Sequence, residues 1–335
     1  MTTIQDIADK MGVSKSTVSK ALNDAPDISE ALRKQVLETA VALGYTKLRR
    51  YKKPTKKVCI IIEKENMRYQ EPHHFAYDIL VGFRQMAEPA GFDVEIVPVD
   101  IKTQRSQHYD VFMLKHDYIG AFVVGFSLSD PWIQDFKISR TPAVLFDNYI
   151  VGNPSTAYVG IDNEEGMELA VSYLAGLGHR KIAYLGVDNS LVFSADRKTG
   201  YMTALISHGL TVQPEYCIEV PAASQNEFQE LRKLLLSEER PTAVLVSDDI
   251  LALSLERICM EADISIPEDL SILSFNNSLF ARLTSPQLTS IDINSGQLGM
   301  EAATQMISHI ENPSLPATKI IVPHQLIERD SCRRI

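Results

Sequence analysis

The sequence predicts an all-α helix-turn-helix head followed by a two-lobed α/β body with parallel sheets. Apolar residues recur at helical spacing through the first 45 residues. From residue 58 onward, short apolar runs alternate with segments of helical spacing, which is typical of parallel sheets covered by helices. Charge divides at the same boundary, because residues 1–57 hold 12 Lys and Arg against 6 Asp and Glu, which leaves 21 against 37 in the remainder. A formal net charge of −10 therefore conceals a basic head on an acidic body.

Three short helices are predicted in the head. Thr3 is placed to cap the first helix, and Asp6 follows three residues later, as in a capping box. Gly12 allows the tight left-handed turn that ends this helix. The second and third helices are expected over residues 14–23 and 29–44.

The packing of these helices favours a helix-turn-helix over an unspecialised helical bundle. Ala8 and Gly12 are small where two helices must cross closely, and Val18 is placed to fill the space between them. The outer side of the second helix carries short or basic donors that suit a DNA groove: Lys15, Ser16, Thr17, Ser19 and Lys20.

The stretch TIQDIADKMGVSKSTVSKALN resembles the head of the LacI/GalR (lactose-repressor/galactose-repressor) family of bacterial transcriptional regulators, whose pattern is TIxDVAxxAGVSxxTVSRxLN. Lys20 stands where that family usually has arginine, and lysine cannot make arginine's two-pronged contact with guanine. The resemblance implies three groups of DNA contacts: to bases by Lys15, Ser16 and Lys20, to phosphates by Thr17, Ser19 and Asn23, and further contacts by Thr3, Ser14 and Tyr45.

A basic segment, KLRRYKKPTKK at residues 47–57, joins the head to the body. Such a charge run is most often a solvated face or a linker. The family usually continues here with RPNxxARxL, a hinge helix that wedges a leucine into the minor groove. This chain lacks that motif, is shorter by about four residues, roughly one helical turn, and has Pro54, which disfavours helix at the preceding residue.

We therefore expect a linker that contacts DNA without a leucine-wedge hinge helix. Its cations would act by attraction to phosphates or to a narrow groove, with Leu48 or Tyr51 as a substitute wedge. The cations concerned are Arg49, Arg50, Lys52 and Lys53.

The body repeats one pattern of strands and helices twice, without a phosphate-binding loop between strand and helix, so a ligand cleft between two lobes is expected. The resemblance continues through YVGIDNEEGMELAVSYLAGLGHRKIAYLG, SADRKTGYMTAL and LIERDSC, and implies a module like the periplasmic sugar-binding proteins. The expected domains are a DNA-binding head at 1–45, a linker at 46–57, and an effector-binding and dimerisation body at 58–335, with lobe one at about 58–160 and 293–322 and lobe two at about 161–292 and 323–335.

Polar side chains at strand and helix ends of the body match the chemistry of a sugar or polyol. Such ligands are held by carboxylate, amide and guanidinium groups, with an aromatic ring against their CH face. Taken alone, each of these side chains is equally well explained by helix capping or a surface ion pair. The resemblance implies an effector-binding set of His74, Phe75, Tyr77, Asp147, Arg197, Thr199, Ser247, Asp248 and Asn276.

Two departures keep the effector class open. Ser247 stands where the family often has asparagine, and Asn276 where it has aspartate, so two typical sugar-binding side chains are shortened or neutralised. A sugar or sugar phosphate is the leading class. A purine, a nucleoside or a phosphoprotein partner is the alternative.

Enzyme motifs are missing from the sequence, since it contains no GxxxxGK[ST], GxSxG, HExxH or strand-borne GxGxxG. Its four cysteines lie far apart without CxxC spacing, which argues against a metal site or a disulfide framework. We expect no cofactor. No apolar run approaches the roughly 18 residues of a membrane span, and the polar start lacks a signal peptide, so a cytoplasmic, nucleoid-associated protein is expected.

The function that the resemblance implies is repression of a carbohydrate-utilisation operon under the control of a small effector. A homodimer would read two half-sites of a near-palindromic operator. The alternatives are a free sugar-binding protein, which the head argues against, and an architectural DNA-binding protein, which the long α/β body argues against.

Overall fold

The structure is a computed structural model that describes residues 2–45, 56–188, 191–221 and 228–335. The chain divides into two compact units. The first unit comprises residues up to 67, 84–158 and 301–319, and the second comprises 68–83, 159–300 and 320–335. The expected boundaries of head, linker and body remain a prediction.

Thirteen α-helices lie in the described part of the chain. They are α1 (Ile4–Met11), α2 (Lys15–Leu22), α3 (Glu30–Ala42), α4 (Phe75–Ala87), α5 (Ile101–Ser106), α6 (Tyr109–Lys115), α7 (Trp132–Phe136), α8 (Asn163–Gly176), α9 (Val192–Ser207), α10 (Gln229–Leu235), α11 (Asp249–Glu261), α12 (Leu279–Leu283) and α13 (Ser295–Glu311). Two 3₁₀ segments, Lys64–Gln70 and Pro214–Tyr216, accompany them.

Twelve strands of the described residues form two six-stranded sheets. The strands are β1 (Lys56–Glu63), β2 (Phe92–Val99), β3 (Ala121–Val124), β4 (Ala143–Phe146), β5 (Thr156–Gly160), β6 (Ile182–Asp188), β7 (Cys217–Pro221), β8 (Ala243–Val246), β9 (Ser271–Asn276), β10 (Thr289–Asp292), β11 (Lys319–Ile321) and β12 (Gln325–Ile327). The strand orders are β11-β5-β4-β3-β1-β2 and β12-β10-β9-β8-β6-β7.

The pairing of the central strands is parallel in both sheets. Their sequences explain this, because a parallel sheet is covered on both faces and its strands are continuous apolar runs. Residues 58–62 of β1 and 243–246 of β8 are all fully buried. The predicted α/β body with parallel sheets is confirmed, and one antiparallel pair, β10 with β12, is added.

The three predicted head helices are also confirmed. Thr3 caps α1 as expected, since its side chain accepts from the Asp6 amide and the Asp6 carboxylate accepts from the Thr3 amide. Gly12 ends α1 in the left-handed conformation, with φ of 66°. The third helix ends at Ala42, two residues before Gly44, where sequence spacing had ended it.

The head has a small apolar core of its own. Val18 is 0% exposed and belongs to this core, which agrees with its predicted place between the helices. Val111 of α6 is a buried member of this core from outside the head, and Leu114 of the same helix packs against it. The other buried members are Ile7, Ala8, Ala21, Leu22, Val36, Leu37 and Ala40.

One carboxylate of α11 lies in an unfavourable position against the core of the second unit. The Glu256 Oε1 atom is buried, without a hydrogen-bond partner among the described residues. Burial raises the pKa of this carboxyl to about 7.

Glu256→Gln should therefore stabilise the protein at high pH. A carboxyl whose pKa is raised on folding binds its proton more tightly in the folded state, so its stabilising contribution is complete below its ordinary pKa and is lost as pH rises through about 7. Because the side chain is only half-buried and water screens it, we expect a gain of about 1 kcal/mol at pH 8 and none at pH 4.5. Urea unfolding at both pH values measures this. Glu238→Gln, at an exposed position of the same unit, is the control and should show no gain at either pH. A gain in Glu256→Gln that is equal at pH 8 and pH 4.5 would contradict the raised pKa of Glu256.

Candidate functional site

The outer side of α2 presents the predicted base-reading residues to solvent. Lys15, Ser16 and Lys20 are exposed, and Thr17 and Ser19 are half-buried. Two cationic side chains and short hydroxyls along one helix form a surface that can enter a major groove and bond to base edges or phosphates.

Several of the predicted phosphate-contacting residues also fix the ends of α2. The Thr17 amide donates to Ser14 Oγ at 3.0 Å, and the hydroxyls of these two residues lie 2.8 Å apart. At the other end, Asn23 Nδ2 donates to the Ser19 carbonyl oxygen at 2.8 Å. These bonds hold the helix ends in a fixed geometry, while Thr3 does the same for α1.

Asp27 is a feature of this surface that sequence reasoning missed. It forms an ion pair with Lys20, and the hydrogen bond from Lys20 lowers the pKa of the Asp27 carboxyl. Both side chains are about half exposed, at 50% and 54%. The pair is an exposed one of small energetic value, but it neutralises one of the two cations of α2.

Asp27→Asn should strengthen DNA binding, because it releases the Lys20 ammonium for a phosphate or a base edge. We expect affinity for duplex DNA to rise a few-fold at low salt, by about 0.5–1 kcal/mol. Fluorescence anisotropy at several salt concentrations measures both the affinity and its salt dependence. Asp24→Asn is the control, since Asp24 pairs with Arg33 and not with Lys20; an equal gain in that variant would show an effect of net charge alone.

The remaining DNA-binding predictions lie at the end of the head. Tyr45 is half-buried against the head core, and its amide donates to the Ala40 carbonyl oxygen at 2.8 Å. The linker predictions for Leu48, Arg49, Arg50, Lys52 and Lys53 lie outside the described residues.

The last two lysines of the basic run lie in the first strand of the structure. Strand β1 starts at Lys56, where Lys56 Nζ lies 3.1 Å from Glu311 and Lys57 Nζ lies 2.8 Å from Glu95. These two lysines of the basic run are therefore paired with acidic residues of the first unit.

A buried guanidinium forms the centre of a polar cluster in the second unit. Arg197 of α9 is 3% exposed. Its Nε donates to Asn163 Oδ1 at 2.8 Å, its Nη1 to the Ser247 carbonyl oxygen at 2.5 Å, and its Nη2 to Asn276 Oδ1 at 3.2 Å. The cluster joins the first turn of α8 and the second turn of α9 to the carboxyl ends of β8 and β9, which is where parallel α/β sheets bind ligands.

Two aromatic rings hold the guanidinium. Its central carbon lies 3.8 Å from the centroid of Phe275 and 5.0 Å from that of Phe193. Asp248 is a neighbour that caps α11, where its Oδ1 accepts from the Leu251 amide at 2.8 Å. Burial raises the pKa of the Asp248 carboxyl, and the positive charge of Arg197 opposes that rise.

His74 and Phe75 lie on a cavity that Asn276 also lines. Burial lowers the pKa of His74 to about 4, and its Nδ1 accepts from the Ala76 amide at 3.2 Å, so the ring is neutral at pH 7. Its centroid lies 4.7 Å from those of both Tyr69 and Phe75. This cavity in the second unit combines apolar ring faces with the Asp78, Arg282 and Asp292 side chains.

Other predicted effector residues are not brought to Arg197. Thr199 is exposed, two residues farther along α9 and therefore on a different face of that helix. Tyr77 is half-buried on α4 and is not among the residues that line the cavity. Asp147 belongs to the first unit, directly after β4, where its φ is 58°.

Asn163, Phe193 and Phe275 are site residues that sequence reasoning did not single out. Phe193 stands four residues before Arg197 on one helix, a spacing that places both on one face. Phe275 precedes the predicted Asn276, and Asn163 lies in the stretch VGIDN that carries the family resemblance.

Comparison with known proteins agrees with both parts of the structure. Residues 3–47 match the model for bacterial regulatory proteins of the lacI family, and residues 171–332 match a periplasmic binding protein-like domain. The chain is 28% identical over 339 residues to "Probable HTH-type transcriptional repressor ExuR" of Bacillus subtilis (strain 168), covering 100% of this chain and 99% of that one. It is 27% identical over 337 residues to "Catabolite control protein A" of Priestia megaterium, covering 99% of each.

A solved structure extends the likeness in fold to nearly the whole chain. The complex of transcriptional regulator CelR with cellobiose has a TM-score of 0.74 and 22% identity, covering 99% of this chain and 100% of that one. A helix-turn-helix head joined to a periplasmic-binding-protein-like body defines a DNA-binding transcriptional regulator. The chain belongs to the lacI family of bacterial regulatory proteins. Among its described residues, no helix is both long and apolar enough to span a bilayer.

Proposed function

We propose that this protein is a transcriptional repressor whose α2 reads a near-palindromic operator and whose second unit binds a small effector around Arg197. The observation that carries the effector site is the buried guanidinium, held by three oxygen acceptors and two aromatic rings at the carboxyl ends of β8 and β9. A site of this kind is preformed, because its donors are fixed before a ligand arrives.

A sugar or sugar phosphate is the effector class we favour. Guanidinium and amide groups make paired hydrogen bonds to vicinal hydroxyls, and a ring face such as that of Phe75, which lines the cavity, covers CH groups. The structural neighbour CelR is described in complex with cellobiose, which supports this class by analogy. A purine or nucleoside is the second candidate, because Asn276 offers an amide where the family's sugar site has a carboxylate.

The remaining features of the proposal follow from the family. The protein acts as a cytoplasmic, nucleoid-associated homodimer on a carbohydrate-utilisation operon, through binding and not through catalysis. Residues 1–45 are the DNA-binding domain, 46–57 the linker and 58–335 the effector-binding and dimerisation domain. Linker cations strengthen operator binding by counterion release.

A thermal-shift screen with sugars, sugar phosphates and nucleosides tests the effector site. We expect at least one compound to raise the melting temperature of the wild type, because a ligand that binds only the folded state stabilises it. In Arg197→Lys, which keeps the charge but loses the planar fork, the same compound should lose most of this stabilisation. Arg257→Lys, a substitution of an exposed arginine on α11, should respond like the wild type.

Two results would refute the placement of the site. One is a compound that stabilises Arg197→Lys as much as the wild type. The other is a panel without any compound that stabilises the wild type, which would exclude these effector classes and favour a protein partner.

A further inference from the structure

The chain leaves β9 through a turn that two non-glycine residues make in the left-handed region. Asn276 has φ of 99° and Asn277 has φ of 51°. A left-handed backbone is unfavourable for a residue that carries a Cβ atom, and it persists where the surrounding structure holds it. The turn matters because Asn276 supplies the Oδ1 atom that accepts from Arg197.

A buried carboxylate lies directly behind this turn. Asp249, the first residue of α11, is 1% exposed. Its Oδ2 accepts from the Ser278 amide at 2.6 Å, and its Oδ1 accepts from Ser274 Oγ at 2.5 Å and Ser290 Oγ at 3.1 Å. Burial raises the pKa of this carboxyl, and the hydrogen bonds from Ser274 and Ser278 oppose the rise.

The middle of the turn is held from two further sides. The Asn277 amide donates to Ser290 Oγ at 3.0 Å, so Ser290 links this amide to Asp249. Arg329, from the LIERDSC stretch near the C-terminus, donates through Nη2 to Asn277 Oδ1 at 2.6 Å. Its Nη1 donates to the Leu288 carbonyl oxygen at 2.6 Å, which fixes the guanidinium in place.

Three consecutive polar groups of the turn are thus bonded to side chains outside it: the Asn277 amide, the Asn277 side-chain oxygen and the Ser278 amide. We propose that Asp249 and Arg329 are positioning residues that clamp the turn, so that the Asn276 side chain meets Arg197 and the site is formed before a ligand binds. This inference rests on the proposed effector site at Arg197.

The clamp explains why several polar residues that are far apart in the sequence are buried behind one turn. In ligand sites, side chains are held to within a fraction of an ångström by hydrogen bonds from residues behind them. Without this role, Ser274 would be an unexplained polar residue in a buried strand, and Asp249 would be an unexplained second aspartate beside the helix cap. A cluster that served only to stabilise the core would not need to converge on the turn's amides.

Asp249→Asn tests the clamp most directly, in the ligand-free full-length protein. The side-chain amide in this variant has two orientations. In one, its own donors face the Ser278 amide; in the other, its oxygen faces the Ser278 amide and the two serine hydroxyls have one acceptor fewer. We expect hydrogen exchange at the Asn277 and Ser278 amides to accelerate at least tenfold relative to the Val244 and Leu245 amides of β8, as measured by NMR. The Nη2–H resonance of Arg197, which reports the hydrogen bond to Asn276 Oδ1, should shift in the same variant.

A second substitution separates positioning from general stability. Glycine adopts a left-handed φ without strain, so Asn277→Gly in the Asp249→Asn background should return the Arg197 Nη2–H resonance part of the way to its wild-type position. The return is partial because this change also removes the Asn277 Oδ1 atom that accepts from Arg329. General loss of core stability would not be repaired by this change. Asp269→Asn removes an exposed carboxylate of the same unit and should leave both readouts unchanged.

Ser290→Ala serves if Asp249→Asn does not fold, since it keeps the buried carboxylate and removes the acceptor of the Asn277 amide together with one of the hydrogen bonds to Asp249. The clamp is supported if hydrogen exchange accelerates selectively at the turn amides and the glycine substitution returns the Arg197 resonance toward its wild-type position. The clamp is overturned if hydrogen exchange at the turn amides is unchanged or accelerates only as much as at the β8 amides. The effector panel is a separate experiment, so a clamp that fails here leaves the Arg197 site standing, and a panel without a hit leaves the exchange result standing.

Discussion

Gly299→Ala should lower the free energy of unfolding by about 3 kcal/mol or more, because α13 packs directly on the backbone of α4 at this point. A Cβ atom at Gly299 would lie 1.9 Å from the Ile79 carbonyl oxygen and 2.6 Å from the Phe83 amide nitrogen. Both are backbone atoms, so no side-chain rotation relieves the overlap and the two helices must separate. Urea unfolding followed by circular dichroism measures the loss.

The same helix offers a matched control. Gly296 has open space around its Cβ position, with no neighbouring atom within 4 Å. Gly296→Ala should therefore be neutral or should stabilise the protein by about 0.5–1 kcal/mol, as alanine does in a helix. If both alanine variants unfold at the same urea concentration, the close approach of α13 and α4 is wrong.

Val18→Asp should abolish operator binding while leaving the body folded. Val18 is 0% exposed in the head core, and a buried carboxylate without a partner costs several kcal/mol, more than so small a core can supply. We expect affinity for an operator fragment to fall about 100-fold or more, which corresponds to about 2.7 kcal/mol. Fluorescence anisotropy with DNA from upstream of the gene measures it.

Gln35→Asp is the matched control, because it adds the same charge at an exposed position of α3. Its effect on affinity should be no more than a few-fold, since only long-range repulsion from DNA is introduced. Thermal unfolding of the body should be the same in both variants. Equal operator affinity in the two would mean that the folded head is not required for binding.

Local signals explain why the head could be predicted almost completely. Thr3, Asp6 and Gly12 act on neighbours within one helical turn, so spacing alone identifies their roles. The Lys20–Asp27 pair was missed because its two members are seven residues apart, across a loop in which Asp24 has φ of 58°. Whether two side chains pair across such a loop depends on the course of the backbone and not on the periodic spacing of residues in the sequence.

The proposed effector site shows the same difference between local and long-range signals. Arg197 and Asn276 stand at helix and strand ends that the pattern identifies, and the structure joins them. Asp249, Ser290 and Arg329 come from α11, β10 and the C-terminal segment, and only the strand order brings them behind one turn. Thr199 follows Arg197 in a matched motif, yet the helical rotation of about 200° between them turns it to solvent.

Operator binding measured with and without a compound from the effector panel tests the proposal that the cluster around Arg197 controls the head. In the wild type, a compound that stabilises the protein should change the operator dissociation constant at least fivefold, a coupling of about 1 kcal/mol, and the direction of the change assigns it as inducer or corepressor. Arg197→Lys should bind the operator like the ligand-free wild type and should not respond to the compound. A response that persists undiminished in Arg197→Lys would contradict the claim.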